Sequence, residues 1–87
     1  MKQIFKITFP NNKIYIGKDL TGTLTYFGSF DPHYVKADYK NIKTPHFTLK
    51  KEILWESETA DDDDVAQREA AYIRIFDSDN PKIGYNR

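Results

Sequence analysis

Two short alternating segments on either side of Pro10-Asn11-Asn12 constrain the fold of this chain more than any other feature. From Gln3 to Phe9, the side chains of Phe5, Ile7 and Phe9 fall on one face and those of Ile4, Lys6 and Thr8 on the other. This is the two-residue period of a β-strand. Lys13 to Asp19 reads as a second strand. The residues between supply a turn, because Pro fixes φ and Asn tolerates left-handed backbone. A hairpin is therefore expected. With Phe9 opposite Lys13, Ile7 lies opposite Tyr15 and Phe5 opposite Gly17. That register gathers Phe5, Ile7 and Tyr15 on one face and Ile4, Ile14 and Ile16 on the other, so both faces of the sheet should be covered.

The rest of the chain supplies the covering layers. Leu20 to Phe30 is rich in Thr and Gly and reads as a loop whose aromatic pair, Tyr26-Phe27, packs onto the domain. Asp31-Pro32 opens a helix, Asp31 as N-cap and Pro32 in the first helical position. The helix is expected to run to about Lys43, before Thr44-Pro45 ends it. At roughly 100° per residue, Val35, Tyr39 and Ile42 share the face turned to the sheet. His33, Lys36, Lys40 and Lys43 share a flank, which reads either as a solvated lysine face or as a stripe that tracks phosphates. Phe47 to Glu56 alternates again and predicts a third, antiparallel strand, with Phe47, Leu49, Ile53 and Trp55 on one side.

A second helix is expected over roughly Asp63 to Phe76. The acidic run Asp61 to Asp64 opens it, where negative charge meets the positive end of the helix dipole; this explains the run better than metal binding does. Val65, Tyr72, Ile73 and Phe76 form the apolar stripe, and Glu69 falls inside it. A carboxylate there must be paired, protonated or open to a cavity, since an unpaired buried charge is strongly unfavourable. A salt-bridged structural residue and a metal ligand at the mouth of a cleft are the competing accounts. Arg68 sits one turn after Asp64 and can pair with it. The tail from Asp77 reads as an ordered loop closing on Gly84-Tyr85-Asn86-Arg87.

Composition bounds the function. Eighty-seven residues, 39% hydrophobic and 15% aromatic, suffice for a single domain over residues 1–87 with one core in which aromatics carry much of the volume. The absence of cysteine excludes disulfides and thiolate zinc sites. Met1 to Pro10 is charged and alternating, unlike a signal peptide, and no apolar run approaches the roughly 20 residues of a membrane span. A soluble, cytoplasmic protein with no membrane partner is expected. The net charge is zero, but Asp61 to Asp64 account for four negative charges, so the remainder balances to plus four and leaves room for a basic face.

Taken together, Gln3-Ile4-Phe5, Asn11-Asn12-Lys13-Ile14-Tyr15-Ile16-Gly17, Gln67-Arg68-Glu69 with Tyr72-Ile73, and Gly84-Tyr85-Asn86 resemble a GIY-YIG nuclease domain of the stand-alone, phage or homing-endonuclease-like kind. The resemblance spans nearly the whole chain and keeps the order of the parts. It implies an α/β fold of the α+β type, with a small three-stranded antiparallel sheet flanked by helices, and hydrolysis of DNA phosphodiester bonds with one divalent metal, Mg2+ or Mn2+. By that resemblance Tyr15 is the general base or the group that positions the attacking water. Glu69 is the metal-binding glutamate, and Asn86 is the asparagine near the site.

The resemblance departs at two points. The first motif ends in Phe5 where the family has tyrosine, and the first helix has no arginine where the family places one on the transition-state phosphate. Lys36 is the candidate substitute, with Lys40 and His33 behind it, and Tyr26 could restore a hydroxyl. Lysine offers a point charge without the bidentate fork, so weaker cleavage is expected. Lys13, Lys18, His33, Lys36, Lys40 and Lys43 are the candidate DNA contacts, and Lys13 or Lys18 could favour the ionised form of Tyr15. The alternative function is a catalytically weakened module that binds nucleic acid or a protein. Eighty-seven residues leave no room for an attached DNA-reading domain, so low sequence preference, a separate specificity partner or a homodimer is expected.

Overall fold

In the computed structural model, which describes residues 1–22, 26–28, 30, 32–39 and 48–86, the alternating segments form the expected hairpin. Strand β1 (Lys2–Thr8) pairs antiparallel with β2 (Ile14–Asp19), with Ile7 opposite Tyr15 and Phe5 opposite Gly17. Asn12 takes the left-handed conformation at φ 68°, and the Phe9 N–H donates to the Lys13 carbonyl at 2.9 Å to close the turn. The helix α1 (Pro32–Tyr39) follows, then β3 (Lys50–Ser57) and α2 (Asp62–Phe76). The sheet has three antiparallel strands in the order β2-β1-β3, so the fold is α+β as expected.

Both faces of the sheet are covered. On one, Phe5, Ile7 and Phe9 of the hairpin pack with Val35 of α1 and Tyr85 of the tail, flanked by Tyr15, Phe30 and Leu49. On the other, Ile4 and Ile16 pack with Val65 of α2, and Tyr72, Ile73 and Phe76 complete the helix's apolar stripe. Asp61 caps α2, its carboxylate accepting from the Asp64 N–H at 2.8 Å. Arg68 pairs with Asp64 at 3.4 Å, as the spacing predicts, and its guanidinium also lies 4.5 Å from the Trp55 ring. The Asp31 cap, Ile42, Phe47 and the helix end at Thr44-Pro45 lie outside the described residues, as does the side chain of Tyr39.

One face assignment is corrected. Leu49 packs with the Phe5 cluster, but Trp55 packs with Leu54 on the opposite face against Ile4, Ile16 and Val65. The cause is an irregularity in the β1–β3 ladder. Ile4 faces Trp55 and Phe5 faces Ile53, so Leu54 is an extra residue on β3. A bulge of this kind inverts the alternation for everything beyond it.

The tail seals part of the sheet's outer edge. Gly84 forms a parallel bridge to Ile14, whose N–H donates to the Ile83 carbonyl at 3.0 Å and whose carbonyl accepts from the Tyr85 N–H at 2.9 Å. The next residue with the same edge orientation, Ile16, is covered by the Asn86 side chain. Gly84 is needed for this approach, since a Cβ there would lie 2.6 Å from the Ile14 carbonyl oxygen. Among the described residues of the tail, none makes such a contact with β2 beyond Ile16. Among the described residues no helix is long and apolar enough to cross a membrane.

Candidate active site

The end of β2 forms one wall of a cleft of about 460 Å³. Successive residues of a strand point to opposite faces, so β2 contributes from both sides of its edge: Tyr15 and Asp19 from the Phe5 face and Lys18 from the α2 face. Glu69 of α2 and Tyr26 from the loop before α1 close the cleft, with Leu20 and Thr21 at the end of the strand.

Gly17 lets the rings at this edge come together. A Cβ there would lie 2.5 Å from Phe5 Cζ and 2.9 Å from Tyr15 Cε2. Gly28, at φ +92°, passes over the same ring, with a Cβ position 2.5 Å from Tyr15 Cε2. The glycine of the Tyr15-Ile16-Gly17 stretch is therefore a packing requirement for Tyr15. The Tyr15 ring also meets Phe30 edge-on, with centroids 5.5 Å apart.

Glu69 is half-buried, and no donor among the described residues pairs with it. Burial pushes its carboxyl above the ordinary glutamate value, and the positive charge of Lys18 pulls more weakly in the other direction. Of the accounts open to a carboxylate in an apolar stripe, the structure selects the one facing a cavity. Such a group fits a hard cation, which favours oxygen ligands. Magnesium in particular keeps several waters and takes one or two carboxylates together with substrate phosphate. Among the described residues no three His, Cys, Asp or Glu side chains converge on a metal position, so Glu69 would hold the ion with water completing the shell.

The second carboxylate of the cleft is otherwise engaged. Asp19 is 3% exposed, and its Oδ1 accepts from the Thr21 N–H at 2.9 Å, the Thr21 hydroxyl at 3.0 Å and the Gly22 N–H at 3.0 Å. This is an Asx-type turn that ends β2, and the Asp-x-Thr-Gly order is its signal in the sequence.

The other expected site residues are placed as follows. Asn86 reaches β2 but spends its amide on the Ile16 main chain, so it secures the strand beside Tyr15. Lys13 is drawn away to α1, its ammonium 2.6 Å from Asp38 Oδ2, where the Tyr85 hydroxyl also donates at 2.6 Å. His33 and Lys36 are exposed on α1 and do not line the cleft. Lys40 and Lys43 lie outside the described residues. Among the described residues, Lys18 is the cation whose charge acts on Glu69.

Phe5 is fully buried, and the cation above its ring is Lys51 of β3, 4.7 Å from the centroid. Sequence reasoning passed over Lys51. It stands two residues before Ile53 on an apolar face of β3, and the logic that singled out Glu69 would have found it. Comparison of the chain with known protein families, with curated proteins and with solved structures returns no match.

Proposed function

We propose that this chain is a metal-dependent DNA endonuclease of the GIY-YIG type, hydrolysing phosphodiester bonds by nicking or double-strand cleavage. One observation carries the reading: Tyr15 and Glu69, far apart in sequence, line a single cleft at the end of β2 together with Lys18.

In this reading Tyr15 orients the water that attacks phosphorus in line with the departing sugar oxygen. A new P–O bond forms as the old one breaks; the attacking water loses its proton to solvent and the leaving oxygen takes one up. Tyr15 acts by hydrogen bonding to that water, with the Lys18 ammonium favouring negative charge nearby. Lys18 also offers a point charge to the phosphate, the part first assigned to Lys36. A bound Mg2+ or Mn2+ at Glu69 would stabilise charge on the phosphoryl and leaving oxygens.

The fully buried, hydroxyl-free Phe5 favours a second reading, in which the domain binds nucleic acid or a protein with weakened cleavage. Plasmid nicking in Mg2+ or Mn2+ separates the two. Cleavage by the wild type that is lost in Glu69→Ala supports the nuclease, whereas salt-dependent DNA binding without cleavage supports the binding module.

A further inference from the structure

The outer edge of β2 carries a row of main-chain N–H and carbonyl pairs, and the row runs into the cleft. Successive strand residues turn these groups to opposite neighbours. Ile14 turns outward: its N–H donates to the Ile83 carbonyl at 3.0 Å, and its carbonyl accepts from the Tyr85 N–H at 2.9 Å. Ile16 also turns outward and meets both ends of the Asn86 amide at 2.7 Å. The β1–β2 register continues unbroken to Asp19, so the next outward pair belongs to Lys18. Among the described residues nothing hydrogen-bonds to it. Lys18 is exposed and lines the cleft beside Glu69.

The Lys18 N–H is held in place from both sides. Gly17 and Asp19 are buried and stand opposite Phe5 and Gln3 of β1, and the Asp19 carboxylate fixes the turn that follows with three hydrogen bonds. The N–H lies in the plane of the sheet, while the Lys18 ammonium projects from the α2 face, so one residue offers an anion two donors from two directions. Main-chain N–H groups are common phosphate donors, and one fixed in advance needs no reorganisation when charge develops. Lys51, the other cation beside the cleft rings, is engaged elsewhere. Its ammonium donates to the Tyr26 carbonyl at 2.6 Å and lies 4.7 Å from the centroid of Phe5 and 5.7 Å from that of Phe27.

We propose that the main-chain N–H of Lys18 donates to a non-bridging oxygen of the phosphate bound in the cleft, alongside the ammonium of the same residue. The inference rests on the phosphodiester reading of the cleft. It makes the backbone of β2, and not only the side chains it carries, part of the phosphate site. The Lys18 carbonyl, an acceptor, stays with water.

Eighty-seven residues are within reach of total synthesis, so the Gly17–Lys18 amide can be replaced by an ester, which removes this N–H and keeps the lysine side chain. An ester at Lys13–Ile14 is the control, since it removes an N–H that the tail uses. Plasmid nicking in Mg2+, Tm and amide hydrogen exchange are measured. The Gly17–Lys18 ester should melt no lower than the control, while its nicking rate falls about 100-fold, the order lost with one preorganised donor. In the wild type the Lys18 amide should exchange faster than that of Ile16 and slow when a short duplex is added without divalent metal. Wild-type nicking by the Gly17–Lys18 ester would overturn the contact and leave the nuclease reading intact. A Lys18 amide as protected as that of Ile16 in the free chain would overturn the outward orientation. If the wild type does not nick, the nuclease reading falls, and exchange with the duplex decides the contact: slowing at Lys18 upholds it, and unchanged exchange overturns it.

Discussion

The side chain of Asn86 and the main chain of Ile16 hydrogen-bond in both directions: Nδ2 donates to the Ile16 carbonyl at 2.7 Å, and Oδ1 accepts from its N–H at 2.7 Å. The amide imitates a neighbouring strand beside the Gly84–Ile14 bridge. Ile16 adjoins Tyr15, so the tail holds the strand that carries the phenol through its backbone.

Asn86→Ala should therefore behave as a stability variant. It leaves a donor and an acceptor of an edge strand without their partner, at a cost of about 1 to 3 kcal/mol. In a domain of this size each kcal/mol shifts Tm by roughly 4 to 8 °C. Asn86→Asp keeps the acceptor, loses the donor and sets a carboxylate against the Ile16 carbonyl, so it should be at least as damaging. Thermal unfolding measures this. An unchanged Tm with abolished nicking would instead place Asn86 on the substrate.

The lysines divide in the same way. Lys13 shares Asp38 with the Tyr85 hydroxyl, and Asn11 Nδ2 donates to that hydroxyl at 3.0 Å, so its charge ties the hairpin turn, α1 and the tail together. Lys13→Met should cost about 1 to 2 kcal/mol and leave the salt dependence of DNA binding unchanged. Lys18→Met should leave Tm nearly unaltered and reduce the slope of log K against log salt by about 1, one phosphate contact. Binding measured at several salt concentrations distinguishes them.

What the sequence disclosed and what it concealed divide along local and long-range lines. The register of Ile7 with Tyr15 and Phe5 with Gly17 followed from alternation and a turn, both local. So did the α2 stripe and the acidic opening of that helix, whereas for Glu69 a paired, a protonated and a cavity-facing carboxylate all stayed open. The exchange of Trp55 to the α2 face depends on one extra residue, Leu54, opposite the Ile4–Phe5 step, and no period within β3 announces it. Lys13 and Lys36 looked equivalent to Lys18 because charge carries no address. Only the tertiary fold sends Lys13 to Asp38 and leaves Lys18 beside Glu69. Lys51 gave a signal, a cation on an apolar face, but its partners Tyr26 and Phe27 come from a loop whose path no periodicity encodes.

Gly17→Ala tests the packing around Tyr15. The added Cβ would meet Phe5 Cζ at 2.5 Å and Tyr15 Cε2 at 2.9 Å, and Phe5, fully buried, has no open side to move toward. Overpacking of this kind costs about 1 to 3 kcal/mol. Because the clash displaces the Tyr15 ring, nicking should fall further than the loss of folded protein explains, even at temperatures where the variant is fully folded by circular dichroism.

Glu69 should show a conflict between stability and activity, with a sign that pH reveals. Burial raises its carboxyl value in the folded chain, so the charged form is the one that folding disfavours. Its contribution to stability is best at pH below the unfolded glutamate value and is lost as pH rises through the folded value. Glu69→Gln has no such loss. The two proteins should differ least at low pH, and at neutral pH the variant should melt no lower than the wild type. Divalent metal should reverse the order. A cation bound to the ionised carboxylate favours the charged form, so wild type should gain roughly 1.4 kcal/mol at a Mg2+ concentration ten times its Kd, and Glu69→Gln should gain nothing. Nicking by the variant should fall by about 100-fold or more. Melting curves at two pH values, each with and without Mg2+, measure all of this. Equal stabilisation of both proteins by the metal would remove Glu69 as its ligand.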